Sequence, residues 1–227
     1  GGHARAVTIE LDHFFILTQP GAPEGDSLVA LGLIEGTPNV HPGQGTANRR
    51  FFFANAMLEL IYIRDEHEAA AGAAGRLKLV ERSRSADASP FGLVFRSTSP
   101  AAPPSGPSPA VPPFPGWRYA ADYLPDGSHF HIGENADRLD EPLCIVMPAD
   151  IPGPSQQPAP RHPFTTVTSV RISVPATSPS PVLAAVGGIG PLSIAPGQPH
   201  LMELRFNDGA AGQERDLRPD LPLLLCW

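Results

Sequence analysis

The sequence has few of the features that would mark several large classes of protein. Among its 227 residues only Cys144 and Cys226 are cysteines, and two thiols so far apart predict neither a zinc knuckle nor a disulfide framework. Lysine is scarce, no Lys/Arg run occurs, and the formal net charge is -7, which argues against a nucleic-acid partner. No apolar stretch reaches about 18 residues and no secretory signal is seen. We therefore expect a cytoplasmic protein without a membrane partner.

Proline, by contrast, is abundant. The chain has 29 prolines and 22 glycines, and because proline removes a backbone donor and clashes with the preceding turn, we expect short strands, loops and few long helices. The densest proline segment, 98–116, predicts an extended surface loop. Residues 1–5 open with Gly-Gly-His and are predicted to be an expression remnant without fixed structure.

The strand patterns contain two polar residues in apolar surroundings. Residues 6–18 read AVTIELDHFFILT, and period-two alternation predicts that Leu11, His13 and Phe15 share one apolar face of a strand. Residues 57–63 read MLELIYI, a second strand interrupted by Glu59. An ionised carboxylate costs several kcal/mol to bury unless it is paired, hydrogen-bonded or bound to metal.

Glu59 therefore predicts a polar pocket, or else an ion pair with Arg49 or Arg50. His13 on its apolar face predicts either a site residue or a satisfied core histidine. We take Glu59 and His13 as the candidate catalytic residues.

The segment HPGQGTAN, residues 41–48, joins two predicted strands. Its glycines allow the backbone to approach a ligand closely, and an Asn side chain can both donate and accept. His41, Asn48 and Arg50 are therefore candidate substrate-binding residues, with ordinary turn chemistry as the alternative.

Two further histidines, His129 and His131, are spaced so that both would point the same way from a strand. They could be metal ligands, or could simply belong to a partly exposed strand.

The chain also contains an internal repeat. Residues 57–65 align with 201–209, placing Glu59 over Glu203, and residues 11–18 align with 167–174, placing His13 over Ser169. We predict an α+β protein with a first unit over 6–97 that includes the start of a second, the remainder of the second over 117–150, and a third, partial unit over 151–227. Such units cannot bury both faces of a sheet alone and must pack together.

The combination of LDHFFIL, HPGQGTANRRF and LELIYI resembles the glyoxalase-like branch of the vicinal oxygen chelate superfamily. The resemblance implies repeated βαβββ modules that form a cupped mixed or antiparallel sheet around a small oxygenated molecule. It also implies a divalent metal (Zn, Ni, Mn or Fe) on His13 of the first strand and Glu59 of the fourth. The second unit carries no His or carboxylate at the matching positions, so His129 and His131 are the further candidate ligands.

Two functions follow from this resemblance. The first is a metal-dependent lyase, isomerase or dioxygenase. The second is a metal-free binding protein that sequesters its ligand in the same cup. We expect a monomer or a homodimer in either case.

Overall fold

The computed structural model describes residues 7–98, 111–149, 151, 157–175 and 178–227. The predicted remnant at 1–5 and most of the proline-rich loop lie outside these residues. The strands are β1 (Ile9–Leu17), β2 (Val40–His41), β3 (Thr46–Phe52), β4 (Met57–Ile63), β5 (Phe91–Ser97), β6 (Gly116–Tyr119), β7 (Phe130–Gly133), β8 (Leu143–Val146), β9 (Val167–Val174), β10 (Leu192–Pro196), β11 (Leu201–Phe206), β12 (Glu214–Asp216) and β13 (Leu223–Cys226). The α-helices are α1 (Gly25–Leu31), α2 (Glu66–Ala70), α3 (Gly72–Gly75), α4 (Leu79–Ser83) and α5 (Pro181–Val186), with short 3-10 turns at Glu134–Asp137 and Asn207–Gly209.

Eight strands form a large mixed sheet in the order β2-β3-β4-β1-β5-β8-β7-β6. This order is symmetric about the antiparallel β1–β5 pair. On one side β4 lies parallel to β1, and on the other β8 lies parallel to β5. The outer strands then add antiparallel on each side. The predicted α+β fold, with βαβββ modules paired into a curved sheet, is confirmed.

A β-bulge in β1 changes which residues share a face. The pairing of β1 with β5 skips Asp12, since Leu11 lies opposite Phe95 and His13 opposite Val94. A bulge inserts one extra residue and reorients the strand. Leu11 therefore packs into the main core, whereas Asp12 and His13 both line the large cavity. The expectation that Leu11 and His13 share one face was wrong for this reason.

The remaining five strands form a small sheet in the order β10-β9-β11-β13-β12. It covers the back of the large sheet, because side chains from both sheets belong to one continuous buried core. The large sheet contributes Phe14, Phe51 and Leu58 among others, and the small sheet contributes Ile172 and Leu204. The opposite face of the large sheet is thereby left free to form a cavity.

The small sheet repeats the middle of the large one. In the small sheet β9 is parallel to β10 and antiparallel to β11, and β11 is parallel to β13. In the large sheet β1 is likewise parallel to β4 and antiparallel to β5, and β5 is parallel to β8. The β9–β11 pairing skips Thr168 as the β1–β5 pairing skips Asp12, so Ser169 does correspond to His13.

The match of Glu203 to Glu59 was wrong, however. Glu203 lies on β11, the counterpart of β5, and its partner on β9 is Arg171. The residue of β10 opposite Arg171 is Ser193, which is therefore the counterpart of Glu59.

Proline and glycine keep the helices short, as composition predicts. The Ala-rich segment after Asp65 forms α2, α3 and α4 rather than one helix, and Gly72 at its first break has a φ of 54°. Asp65 caps α2 by accepting from the Glu68 backbone amide at 3.0 Å. In the part of the chain described, no helix has the length and apolar character needed to cross a membrane.

Candidate functional site

The concave face of the large sheet, which we call the cup, encloses a cavity of about 690 Å³. Every strand from β1 to β8 contributes side chains to it, and these alternate along the strand except at the bulge in β1 and in the two-residue β2. The walls on the second-module side are apolar and include Phe130, Ile132, Leu143, Ile145 and Met147. The polar residues gather on the first-module side, where β1, β3 and β4 lie next to each other. A largely apolar cavity with a few converging polar groups is the usual form of a small-molecule site.

Glu59 is the centre of the polar group. It is 7% exposed and projects from the middle of β4, between Leu58 and Leu60 of the core. Its Oε2 accepts a short hydrogen bond from Asn48 Nδ2. The Nε2 atoms of His13 and His41 lie 3.9 and 3.8 Å from its two oxygens. The polar partners that burial of this carboxylate demands are thus supplied from β1, β2 and β3.

His13 is oriented by the bulge. Its Nδ1 lies 2.6 Å from Asp12 Oδ2, and Asp12 Oδ1 accepts from Arg96 Nη1 at 2.8 Å. Burial raises the pKa of Asp12, but the hydrogen bonds and charges of His13 and Arg96 together outweigh burial and lower the pKa below its ordinary value. An ionised carboxylate that accepts Nδ1–H directs the other ring nitrogen into the cup.

His41 is held by a chain of hydrogen bonds across the sheet. Its Nδ1 lies 2.8 Å from Thr46 Oγ1, Gln44 Nε2 donates to the same oxygen at 2.9 Å, and Tyr119 OH donates to Gln44 Oε1 at 3.0 Å. Its ring packs against Tyr123, with centroids 5.2 Å apart. Burial lowers the pKa of His41 and outweighs the opposing effect of Glu59.

Two tyrosines from the second module close over this group. Burial raises the pKa of Tyr119 to about 12, with the negative charge of Asp122 adding to the effect. Burial also raises the pKa of Tyr123, and Tyr119 and Glu59 add to it. Both phenols therefore stay protonated and act as neutral hydrogen-bonding groups at ordinary pH.

Arg50 supplies a positive charge in the cup next to Glu59, whereas Arg96, which also lines the cup, is bonded to Glu10 and Asp12. Arg50 is directly opposite Glu59 on the neighbouring strand, and its Nε donates to the Thr37 carbonyl at 2.6 Å. Its guanidinium carbon lies 5.0 Å from the centroid of the Phe52 ring. Among the described residues its terminal nitrogens make no hydrogen bond, so they are free to receive an oxygen atom. Arg49, one residue away, faces out of the cup and pairs instead with Glu35 at 2.8 Å.

The structure brings His13, Glu59, His41, Asn48 and Arg50 together, as the sequence predicts. The side chain of Asn48, however, makes contacts other than those expected of a substrate-binding residue. Its Oδ1 accepts from the Asn39 amide at 2.6 Å and its Nδ2 donates to Glu59. It therefore holds the carboxylate in place rather than presenting a free amide to a ligand.

His129 and His131 do not join the group. In β7 the side chains of Phe130 and Ile132 line the cup, so alternation turns the histidine at 131 away. His131 Nε2 instead contacts the Phe114 carbonyl at 2.8 Å. The expectation that these two histidines complete a metal site is not supported by their placement.

The residues present can be tested against a divalent metal. Two imidazoles and a carboxylate are a suitable donor set, but ligands about 2.0–2.2 Å from one metal lie roughly 3–3.5 Å from each other. The two observed N–O separations, 3.9 and 3.8 Å, are wider, and Asn48 already occupies one carboxylate oxygen. Within the described ranges no group of three or more His, Cys, Asp or Glu side chains is arranged to hold a metal. As arranged, the site does not fit the metal that the resemblance implies.

Sequence reasoning missed the residues that orient the histidines. Asp12 was unremarkable because a regular strand would point it away from the cup, and only the bulge turns it inward. Tyr119 was missed because its contact with Gln44 joins the two modules. Gln44 and Thr46 lie in the segment that carries His41, but the sequence does not show that their side chains bond to each other and to that ring.

Comparison with known proteins places the chain by its fold. No family model matches, and no curated protein matches its sequence. A solved structure of a hypothetical protein from Staphylococcus aureus is similar over 96% of this chain and 98% of its own length, with a TM-score of 0.50 and 9% identity. That likeness shows a shared fold.

Weaker likenesses extend to two named enzymes. Methylmalonyl-CoA epimerase from Mycobacterium tuberculosis is 14% identical over 67% of this chain and 94% of its own, with a TM-score of 0.37. A mutant 4-hydroxymandelate synthase from Streptomyces coelicolor is 10% identical over 97% of this chain and 62% of its own, with a TM-score of 0.35.

Proposed function

We propose that this protein is glyoxalase-like, that its cup binds a small oxygenated organic molecule, and that Glu59 and His13 move a proton on that molecule. The reaction class would be that of an isomerase or a lyase. The observation that carries the proposal is the buried Glu59 carboxylate with two imidazole nitrogens 3.9 and 3.8 Å away, at the wall of a cavity of about 690 Å³. Perturbed and buried titratable groups in a cavity are typical of functional sites.

The proposed chemistry starts with a C–H bond next to a carbonyl group of the ligand. The proton passes to the pair formed by His13 and Glu59, and the electron pair moves onto the carbonyl oxygen. Arg50 is placed to bind that oxygen, since a guanidinium stabilises developing negative charge in a site with little water. Return of the proton to carbon gives an isomer, and expulsion of a neighbouring group gives a lyase product.

Metal dependence is the less favoured form of this proposal. It requires His13, His41 and Glu59 to close by several tenths of an ångström around the ion, whereas proton transfer needs only a ligand in the cavity within reach of them. We therefore expect activity to persist after chelation, and no increase after reconstitution with Zn, Ni, Mn or Fe. An increase with any of these metals would restore the metal-dependent hypothesis.

A metal-free sequestering protein is the second candidate. The apolar wall that faces the polar group favours it, because such a wall supplies affinity without chemistry. It predicts ligand binding with no proton exchange.

One experiment distinguishes these functions. A panel of small carbonyl compounds is screened for an increase in melting temperature, since a ligand selective for the folded state raises stability. Each hit is then incubated in D2O and followed by NMR for deuterium incorporation next to the carbonyl.

The variants for this experiment are Glu59→Gln and, as a matched control, Glu203→Gln. Glu203 is ion-paired with Arg171 on the small sheet and lies outside the cup. We expect exchange with the wild type and with Glu203→Gln, and a loss of about 100-fold or more with Glu59→Gln, the lower end of what a positioned acid–base group typically contributes. Binding without exchange would favour the sequestering function, and a panel with no binder would contradict both.

A further inference from the structure

We propose that the two histidines are fixed in opposite tautomers, so that His13 presents a hydrogen-bond acceptor to the cup and His41 presents a donor. Asp12 and Arg96 fix the first ring, and Thr46, Gln44 and Tyr119 fix the second. The assignment follows from counting hydrogen-bond protons. Its consequence for the reaction rests on the proposed function.

The His13 assignment is direct. An ionised carboxylate can only accept hydrogen bonds, and Asp12 Oδ2 lies 2.6 Å from Nδ1. Nδ1 must therefore carry the proton. In the neutral ring Nε2 then has the lone pair, and it faces Glu59 Oε1 at 3.9 Å.

The His41 assignment begins at the far end of its chain of hydrogen bonds. Tyr119 is 4% exposed, and its hydroxyl proton has Gln44 as its partner among the described residues. Buried donors are nearly always satisfied, so the Gln44 oxygen must face Tyr119. The Gln44 amide group must then face Thr46, as the geometry has it.

Thr46 settles the tautomer. The residue is 1% exposed, and among the described residues its hydroxyl oxygen contacts two groups, Gln44 Nε2 and His41 Nδ1. Gln44 Nε2 is a donor, so the single hydroxyl proton of Thr46 can be satisfied only by His41 Nδ1. Nδ1 is therefore an acceptor, and the proton of neutral His41 lies on Nε2, which points to Glu59 Oε2 from 3.8 Å.

The two sides of Glu59 are then different. His41 offers Nε2–H on one side, while on the other side two acceptors, His13 Nε2 and Glu59 Oε1, face each other across 3.9 Å. A ligand in the cup directs its acidic C–H at these two acceptors from the cavity side. The C–H bond breaks, its proton passes to one of the two acceptors, and its electron pair moves to the carbonyl oxygen. His41 donates a hydrogen bond to this oxygen and keeps its own proton.

Asp12, Thr46, Gln44 and Tyr119 are thus positioning residues that act through the two rings. Reversal of either tautomer would leave two like groups facing the ligand and abolish the distinction between the two ends of the site. The same tautomer leaves His41 Nε2 without a free lone pair, which agrees with the poor fit to a metal.

The test is NMR of the ligand-free full chain with 15N-labelled histidine, at alkaline pH where the imidazoles are neutral. Long-range 1H–15N correlations separate protonated from unprotonated ring nitrogens, and spectra of His13→Gln and His41→Gln assign the signals. We expect Nδ1–H for His13, which is the less common tautomer of free imidazole side chains, and Nε2–H for His41. The same tautomer in both rings, or the two exchanged, would overturn the proposal.

Matched variants test what fixes each ring. Asp12→Ala should shift His13 toward Nε2–H, whereas Glu10→Gln, which alters the other carboxylate bound by Arg96, should not. Thr46→Val keeps the branched shape but removes the hydroxyl, so the unprotonated His41 Nδ1 should move downfield on losing its hydrogen bond. Thr46→Ser keeps the hydroxyl, so the Nδ1 signal of His41 should not move. An unchanged His41 spectrum in Thr46→Val would refute the assigned direction of this bond.

The spectra are independent of turnover. Correct tautomers in a protein that binds no ligand would leave this inference standing and contradict the proposed function. Proton exchange in a protein whose two histidines have the same tautomer would support the proposed function and contradict this inference.

Discussion

Glu141 offers a sharp test of how the two sheets are held together. It lies between the 3-10 turn at Glu134–Asp137 and β8 and is 0% exposed. Its carboxylate accepts from Asn135 Nδ2 at 2.9 Å, from the Ser180 amide at 2.9 Å and from the Ser180 hydroxyl at 2.5 Å. Because Ser180 is the N-cap of α5, this one side chain joins the large sheet to the unit that covers its back.

The expected cost of Glu141→Ala follows from these contacts. Three hydrogen-bond donors lose their acceptor, and Arg138 Nη1, which lies 3.3 Å from Oε2, loses an ion-pair partner. Asn135 and Ser180 are only 2% and 5% exposed, so water cannot easily replace the carboxylate. A hydrogen bond to a charged group contributes about 1.5–3 kcal/mol, and such losses within one cluster are not additive. Removal of one partner from a buried ionic cluster typically costs about 3–5 kcal/mol. We expect that range for Glu141→Ala, and about 1–3 kcal/mol for Glu141→Gln, which keeps one acceptor oxygen.

Urea denaturation followed by circular dichroism measures the free energy of unfolding, with Asp140→Ala as the control. Asp140 is the preceding residue, is half-exposed and lies 3.9 Å from Arg138, so its removal should cost no more than about 0.5 kcal/mol. A loss below about 1 kcal/mol in Glu141→Ala would refute the argument that this carboxylate is an essential acceptor.

Three further predictions concern other parts of the chain. Arg82 is 3% exposed and donates to four backbone carbonyls at 2.6–3.4 Å, so Arg82→Met should lower the free energy of unfolding in urea by about 3–5 kcal/mol. A Cβ on Gly92 would lie 1.9 Å from the Phe15 ring, so Gly92→Ala should cost about 1–3 kcal/mol and weaken ligand binding in calorimetry by displacing the ring into the cup. Arg218 lowers the pKa of Asp216 to about 2 through its side-chain and backbone hydrogen bonds. The stability from this pair is therefore present above the ordinary pKa of 3.8 and lost as pH falls toward 2, and melting curves of Asp216→Asn should show a smaller decrease over that interval than the wild type.

The sequence allowed the residues of the candidate site to be singled out because their signals were local. Glu59 stood out as a carboxylate in an apolar strand, and His13 as an imidazole in another, and both are found in the cup. Burial of a charge requires a partner wherever it occurs, so such a residue can be recognised without knowing the partner. The loop that carries His41 was recognisable from its glycines, which have φ values of 85° and 70° at Gly43 and Gly45.

The residues that could not be predicted depend on contacts distant in sequence or on one irregularity. The contact of Tyr119 with Gln44 spans 75 positions, and nothing in either segment alone indicates it. The role of Asp12 depends on a bulge, which the alternation of apolar residues does not reveal. The pair His129 and His131 had the right spacing for a metal, but spacing on a strand does not say which face is turned to the cavity.

The strands of the small sheet explain why it does not repeat the polar group of the cup. It matches the five middle strands of the large sheet but has no counterpart of β2, β3 or β6. Those missing strands carry His41, Asn48, Arg50 and Tyr119 in the large sheet, so the small sheet lacks the side chains that form the polar part of the cup. Its equivalent outer face carries an exposed ion pair between Arg171 and Glu203 instead. Both sheets use the opposite face to form one shared core, so the second copy of the strand pattern stabilises the first by covering its back.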